Sequence, residues 1–312
     1  MGGCMRALAV TARGASPAVV DVPDRAPGRG EVRVAVEAAS INGFDLAVVA
    51  GYVWDRMPHT FPVVIGRDFA GTVDAVGEGV ENWAVGDSVA GVNTALELGA
   101  GPIAEHIIVD SRSVTAIPDV VTAVQAAAVG LAGVTALDLI DALNPGAADT
   151  VVVSGATGGV GAFAVQLAAA RGARVVATAR PGGATEFVRS LGAADVVDYT
   201  GDLAVALRAV TPDGVTKVVH AAGDPAVLGS LLVANGQFAS VVGATAEQVG
   251  REDVTVTGVM TSYTPDKLAA LLEQVAAGQL TVPVAATHPL ASAADALSDF
   301  GSGKLGKIVV TP

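Results

Sequence analysis

Residues 151–180 limit what this chain can fold into more than any other stretch. They open Val-Val-Val-Ser-Gly-Ala-Thr-Gly-Gly-Val-Gly and run through Phe163, Gln166, Leu167 and Ala170 to a second apolar run at 174–178. The valines at 151–153 make a short strand, and the four later residues recur at helical spacing, with Phe163 and Leu167 on one face. Gly158, Gly159 and Gly161 let the backbone approach a pyrophosphate. A helix beginning near Val160 directs its unpaired N–H groups at that negative charge. Such a unit is built to hold a dinucleotide. In the G-x-G-x-x-G frame Ala156 takes the first glycine's place, while Gly158 and Gly161 fill the other two. The flanking strands and helix supply the setting that a bare glycine motif lacks.

The end of the second strand separates the two common dinucleotides. An NAD site places an Asp or Glu about 20 residues past the glycines on the ribose 2′-hydroxyl, whereas an NADP site omits that carboxylate and offers a cation. Here the strand ends Thr178-Ala179-Arg180. Arg180 is suited to pair with a 2′-phosphate, and Thr178 to donate a hydroxyl hydrogen bond to it. The expected cofactor is therefore NADPH.

Charge and composition exclude several classes of function. The formal net charge of −13 opposes nucleic acid and anionic membrane as partners. Cys4 is the single cysteine, so no internal disulfide and no cysteine zinc cluster is available. His59, His106, His220 and His288 are scattered without metal-site spacing, so no metal is expected. Mean hydropathy is +0.55, drawn largely from Ala and Val. Two uncharged stretches, 150–170 and 120–137, are long enough to suggest a membrane span, but glycines interrupt both. The amino-terminal residues Met-Gly-Gly-Cys-Met-Arg lead into a strand-like run with no signal-type apolar core. The expectation is a cytoplasmic protein without a membrane partner.

Texture changes along the chain. Residues 31–38 alternate Val32, Val34 and Val36 with Glu31, Arg33 and Glu37, the period of a strand with one wet face. Short strand-like runs at 70–75, 87–92 and 105–109 follow, separated by glycine turns, which suggests a barrel-like domain. Beyond Pro118 helix and strand alternate: a helical region at 125–143, the dinucleotide unit, helices at 184–191 and 203–210, and strands at 195–197, 218–220, 238–242 and 254–259. That alternation indicates a doubly wound parallel sheet. An amphipathic helix carrying Leu268, Leu271, Leu272 and Val275 follows Pro265. A closing strand after Gly306 is placed to return to the first domain.

Several stretches together carry a family resemblance. They are Ser40-Ile-Asn-Gly-Phe-Asp-Leu, Val64-Ile-Gly-Arg-Asp-Phe-Ala-Gly-Thr-Val, Leu131-Ala-Gly-Val-Thr-Ala-Leu, Ala156-Thr-Gly-Gly-Val-Gly, Leu191-Gly-Ala-Ala-Asp-Val-Val-Asp-Tyr and Gly306-Lys-Ile-Val-Val-Thr-Pro. In their order and spacing the chain resembles the medium-chain dehydrogenase/reductase superfamily, in its zinc-free quinone oxidoreductase (zeta-crystallin-like) branch. The resemblance implies an α/β fold: a GroES-like β-barrel catalytic domain over 1–119, a Rossmann NADP-binding domain over 120–264, and a return of 265–312 to the first domain, with the active site in the cleft between them. Zinc alcohol dehydrogenases of the superfamily carry a catalytic Cys near the position of Asn42 and a metal-binding His where this chain has Arg67-Asp68. Their absence favours reduction of an already polarised alkene or quinone over alcohol oxidation.

The resemblance also implies roles. Asn42 matches an asparagine near nicotinamide and substrate, and Asp45 holds that loop in shape. Tyr52 matches a tyrosine facing the cleft, Thr135 a threonine near the nicotinamide, and Tyr199 a tyrosine near the adenosine phosphate. Gly243, Ala244 and Thr245 match a loop under the nicotinamide ribose. Hydride would pass from NADPH to a quinone, an enone or an enoyl thioester. Asn42 and Tyr52 would donate to the resulting anion, with Tyr52 or water protonating it. Trp54, Met57 and Phe61 are candidates for an apolar substrate wall. Two other readings stay open at this point: a zinc-free carbonyl reductase or biosynthetic tailoring enzyme on the same scaffold, and an NADPH-binding structural protein without turnover. A homodimer is expected through the charge-free, β-branched strand 254–259, which would otherwise be an exposed edge.

Overall fold

The computed structural model describes residues 3–303 and 305–312; Met1 and Gly2, part of the amino-terminal reading above, lie outside the described residues. The chain divides into two units, Met1–Leu131 with Tyr263–Pro312, and Ala132–Ser262. The division between the units falls inside the helix Ala123–Leu143, which is broken at Gly130 (φ −13°, ψ −112°).

The second unit is a six-stranded sheet among the described residues. Its strands run in the order Asp195–Val197, Arg174–Thr178, Thr150–Ser154, Val215–His220, Leu232–Ser240, Thr255–Gly258, all parallel. In chain order that is 3-2-1-4-5-6, the Rossmann arrangement, whose ligand crevice lies at the carboxyl ends of the first and fourth strands. Val151, Val152 and Val153 are wholly buried, as a parallel strand covered on both faces requires. Helices Gly159–Ala170, Gly183–Ser190 and Leu203–Val210 connect the strands. Thr255–Gly258 is the outermost strand and is largely exposed.

The first unit matches the GroES-like expectation. Its longest strand, Glu31–Ser40, buries Val32, Val34 and Val36 and turns Glu31, Arg33 and Glu37 outward. This strand pairs antiparallel with Asp68–Val76, His106–Asp110 and the last strand, Lys307–Thr311. The last pairing sets Val309 against Ser40 and Val310 against Ala39, and Ile41 N–H donates to the Ile308 carbonyl at 2.9 Å. Residues 40–42 and 307 thereby become neighbours.

The helix Ala123–Leu143 is long and apolar enough to cross a membrane, but 67% of its most apolar window is buried inside the protein. The uncharged stretch 150–170 is the first Rossmann strand, its turn and its helix.

Candidate functional site

In the second unit the glycine turn leaves the strand Thr150–Ser154 and enters the helix Gly159–Ala170. Gly155 carries the conformation that demands glycine, φ +82°. A Cβ on Gly161 would lie 2.1 Å from the Gly155 carbonyl oxygen and 2.7 Å from Ala156 Cα. The helix can therefore reach the strand only if residue 161 lacks a side chain. Gly158 N–H donates to the Gly155 carbonyl at 3.1 Å, whereas Gly159, Val160 and Gly161 offer N–H groups without a partner among the described residues. Three free donors at a helix N-terminus fit a pyrophosphate. The fingerprint frame began one residue late: Gly155, not position 156, makes the tight turn, and Ala156 is buried packing. A glycine directly after the last strand residue was the available signal.

Thr178 was expected to donate to a 2′-phosphate. It is 2% exposed, and its Oγ1 accepts the Gly155 N–H at 3.1 Å. Its place is behind the turn, which it braces from the neighbouring strand. Arg180 lies beyond the strand end, exposed, its guanidinium 5.8 Å from the centre of the Tyr199 ring. Two residues assigned to the adenosine end are thus brought together.

A chain of hydrogen bonds crosses the carboxyl ends of the neighbouring strands. His220 ends the fourth strand and is buried; its Nε2 lies 3.1 Å from the Gly223 carbonyl and its Nδ1 3.0 Å from Ser240 Oγ. A carbonyl can only accept, so Nε2 carries the proton and Nδ1 accepts from Ser240. Ser240 Oγ in turn accepts the Ala244 N–H at 3.0 Å. Burial pushes the His220 pKa below the usual histidine range, which agrees with this neutral tautomer. Through it the loop of Gly243 (φ +79°), Ala244 and Thr245 is tied to the sheet. Thr245 caps the short helix that follows. Sequence reasoning treated His220 only as an isolated histidine; its position at the end of an apolar run just before Ala-Ala-Gly was the overlooked signal.

Thr135 is buried, with its hydroxyl hydrogen-bonded to Thr261, and Asp138 accepts the Ser262 N–H at 2.7 Å. Thr135 therefore anchors the segment leaving the last Rossmann strand.

The first unit holds a second polar assembly, made of side chains. Asp68 Oδ1 accepts the Leu131 N–H at 2.7 Å; Asp68 Oδ2 accepts from Ser40 Oγ and, at 2.8 Å, from Asn42 Nδ2. The Leu131 N–H meets Asp68 next to the break in the helix at Gly130, where a Cβ would lie 2.7 Å from the Asp68 carboxyl. Lys307, 1% exposed, donates to the Ile41 carbonyl at 2.9 Å and to Asn42 Oδ1 at 2.7 Å, with Asp68 Oδ2 at 3.7 Å. Burial pushes the lysine pKa down, while the Asp68 and Asp45 charges oppose it. Asp45 accepts the Asn42 backbone N–H at 2.7 Å, the loop-holding part implied for it. Burial pushes its carboxyl up to about 7.

Arg67 and Asp68 do not pair with each other. Arg67 lies over the Phe44 ring at 4.3 Å and donates to the Asn93 and Ala95 carbonyls, each at 2.8 Å. An amide at residue 42 and a guanidinium at residue 67, the positions of the expected ligands, with the buried Lys307 ammonium donating to that amide, do not fit a zinc ion. Among the described residues no group of three or more His, Cys, Asp or Glu side chains converges.

Tyr52 is 77% exposed and follows the seven-residue helix Gly43–Val49, which Asn42 precedes. The two residues named for catalysis thus stand at opposite ends of a helix about 10 Å long. Trp54 is a correction: it is 3% exposed in the core of the first unit, edge-on to Phe61 at 5.2 Å, with Met57 packed against the same core. Burial removes Trp54 from any substrate wall, whereas Met57 and Phe61 are only partly buried against that core.

Two family descriptions match the chain: the alcohol dehydrogenase GroES-like domain over residues 28–119 and the zinc-binding dehydrogenase family over residues 191–310. A chloroplast envelope quinone oxidoreductase homolog from Arabidopsis thaliana is 33% identical over 313 residues, covering 94% of this chain and 93% of the relative. A crystal structure described as an NAD-dependent alcohol dehydrogenase superposes with a TM-score of 0.90 at 29% identity, covering 99% of this chain and all of that one. A mycobacterial protein solved in complex with NADPH superposes with a TM-score of 0.85 at 29% identity, with the same coverage of 99% and 100%.

Proposed function

Since the chain belongs to the medium-chain dehydrogenase/reductase superfamily, in its quinone oxidoreductase branch, and is thereby an oxidoreductase using a nicotinamide cofactor, we propose that it prefers NADPH and reduces a quinone or a conjugated enone or enoyl thioester without zinc. One observation carries the cofactor choice: Arg180 stands beside Tyr199 past the end of Arg174–Thr178, and no carboxylate occupies that strand end. When bound, NADPH supplies the hydride.

The protein's own contribution is binding and placement. Gly159, Val160 and Gly161 would take the pyrophosphate on their N–H groups. Arg180 would pair with the 2′-phosphate, as a carboxylate there would not. His220 and Ser240 hold the loop 243–245 for the ribose. Tyr52 presents an exposed hydroxyl that can donate to the anion left when a conjugated carbonyl accepts hydride. Asn42 and Arg67 at the positions of the expected zinc ligands support a metal-free reaction, because an amide whose oxygen takes Lys307 and a guanidinium are poor zinc ligands. The outer strand Thr255–Gly258 supports a homodimer formed by pairing with its two-fold mate.

The test is cofactor consumption with a panel of small quinones and enones, in chelator, with NADPH and NADH compared. Turnover with NADPH that persists in chelator is expected. Equal use of NADH, or activity lost on chelation, would sink the reading. An alcohol product from an enone would favour carbonyl reduction, and tight NADPH binding with no turnover the structural alternative. Light scattering should return twice the 30.7 kDa chain mass; a clean monomer would mean that the edge strand does not pair with a two-fold mate.

A further inference from the structure

The carboxamide of Asn42 has a fixed polarity. Lys307 can only donate, and Asp68, which accepts from Ser40, Asn42 and Leu131, acts only as an acceptor. A flipped amide would set donor against donor at Lys307 and acceptor against acceptor at Asp68. The second Nδ2 hydrogen is directed to the Ser40 carbonyl at 3.3 Å. Both amide hydrogens are engaged, so what this side chain has left to offer is acceptor capacity on Oδ1, which takes Lys307 and faces the Asp45 N–H of the capping box.

The fold supplies the lysine from the far end of the chain. Lys307 N–H donates to the Pro283 carbonyl at 2.8 Å, and Gly306 before it has φ +95°, where a Cβ would lie 2.4 Å from that same oxygen. From there the pairing of Val309 with Ser40 and of Ile308 with Ile41 carries the ammonium to Ile41 and Asn42.

We propose that Lys307 and Asp68 are positioning residues that hold Asn42 as a hydrogen-bond acceptor. In this arrangement Asn42 addresses a donor on the bound cofactor or substrate, an amide N–H or a hydroxyl, and does not donate to the anion formed on the substrate. The sequence had cast Asn42 in that donating role. The proposal rests on the reading that Asn42 borders the reacting nicotinamide.

A double-mutant cycle tests it. The parent, Asn42→Ala, Lys307→Met and the double variant are compared for NADPH-dependent reduction of 1,4-benzoquinone and 1,4-naphthoquinone, with NADPH affinity and circular dichroism recorded for each. Asp68→Asn replaces Lys307→Met in a second cycle should the latter not fold. Each single change should lower kcat about tenfold or more, through misplacement of a group at the reacting centre. The double variant should lose no more than Asn42→Ala alone, because Lys307 acts only through Asn42. The factor lost should be the same for both quinones. Losses that multiply would overturn the proposal and leave Lys307 a structural residue. A loss that grows with the basicity of the hydroquinone anion would overturn the acceptor assignment. An Asn42→Ala protein with parental kcat and NADPH affinity would instead remove Asn42 from the reacting centre. If the parent reduces neither quinone, the same cycle read in NADPH affinity decides the positioning claim separately: non-additive losses support it and additive losses overturn it.

Discussion

Whereas the glycine turn of the second unit offers backbone N–H groups from three consecutive residues, the polar cluster of the first unit joins side chains 265 positions apart, Asn42 and Lys307. A site made of backbone depends on what is absent: no Cβ at 161, no carboxylate at the end of Arg174–Thr178. A site made of buried side chains depends on every partner being present, because removing one leaves another desolvated and unpaired. The two therefore fail in different ways.

The largest effect should come from the side-chain site. Lys307→Met leaves Asp68 without its buried counter-charge, and urea unfolding should show a loss of about 3–5 kcal/mol. A loss no larger than that of an exposed lysine would mean that the cluster is not a buried ion pair. Next comes Gly161→Ala in the backbone site. The added Cβ meets the Gly155 carbonyl oxygen at 2.1 Å, so overpacking of about 3 kcal/mol is expected together with loss of NADPH binding. Gly158→Ala has open space, its nearest atom 3.5 Å away, and should fold normally; equal damage from both changes would break the backbone argument.

Arg180→Ala sharpens the comparison at the rim of the same site. NADPH should bind about 2 kcal/mol more weakly, from one charge-assisted bond, with NADH unaffected. Isothermal titration of both cofactors checks this, and a parallel loss of NADH affinity would contradict it.

A pH-dependent effect concerns Asp45, whose folded carboxyl is raised from 3.8 to about 7 by burial. The folded state then holds a proton that the unfolded chain releases, so this group's contribution to stability is complete below its unfolded value and is lost as pH rises through about 7. Asp45→Asn should gain in melting temperature relative to the parent between about pH 4 and pH 7. A pH-independent difference would show that Asp45 is not the titrating group.

The contrast also explains what could be read from the sequence. The dinucleotide turn and the βα alternation were legible because each lies in one short window with its own period. Gly155 slipped out only because the motif frame started a residue late. His220, Ser240 and Lys307 are different. Each closes or opens an ordinary apolar strand, and their partners are fixed by sheet register: Ser154 beside His220, His220 beside Ser240, Val309 beside Ser40. No local window carries that register. Trp54 and Thr178 were misplaced for the same reason, since burial decides whether an aromatic or a hydroxyl meets a ligand or a neighbour.

Hydride delivery to a conjugated carbon is the central claim, and the most direct measurement follows the hydrogen itself. The protein is given NADPH deuterated at nicotinamide C4 and a simple cyclic enone, and the product is read by mass and NMR. The account predicts a saturated ketone with deuterium on the carbon β to the carbonyl. Deuterium on a carbinol carbon, or none transferred to any enone or quinone while NADPH binds tightly, would contradict it.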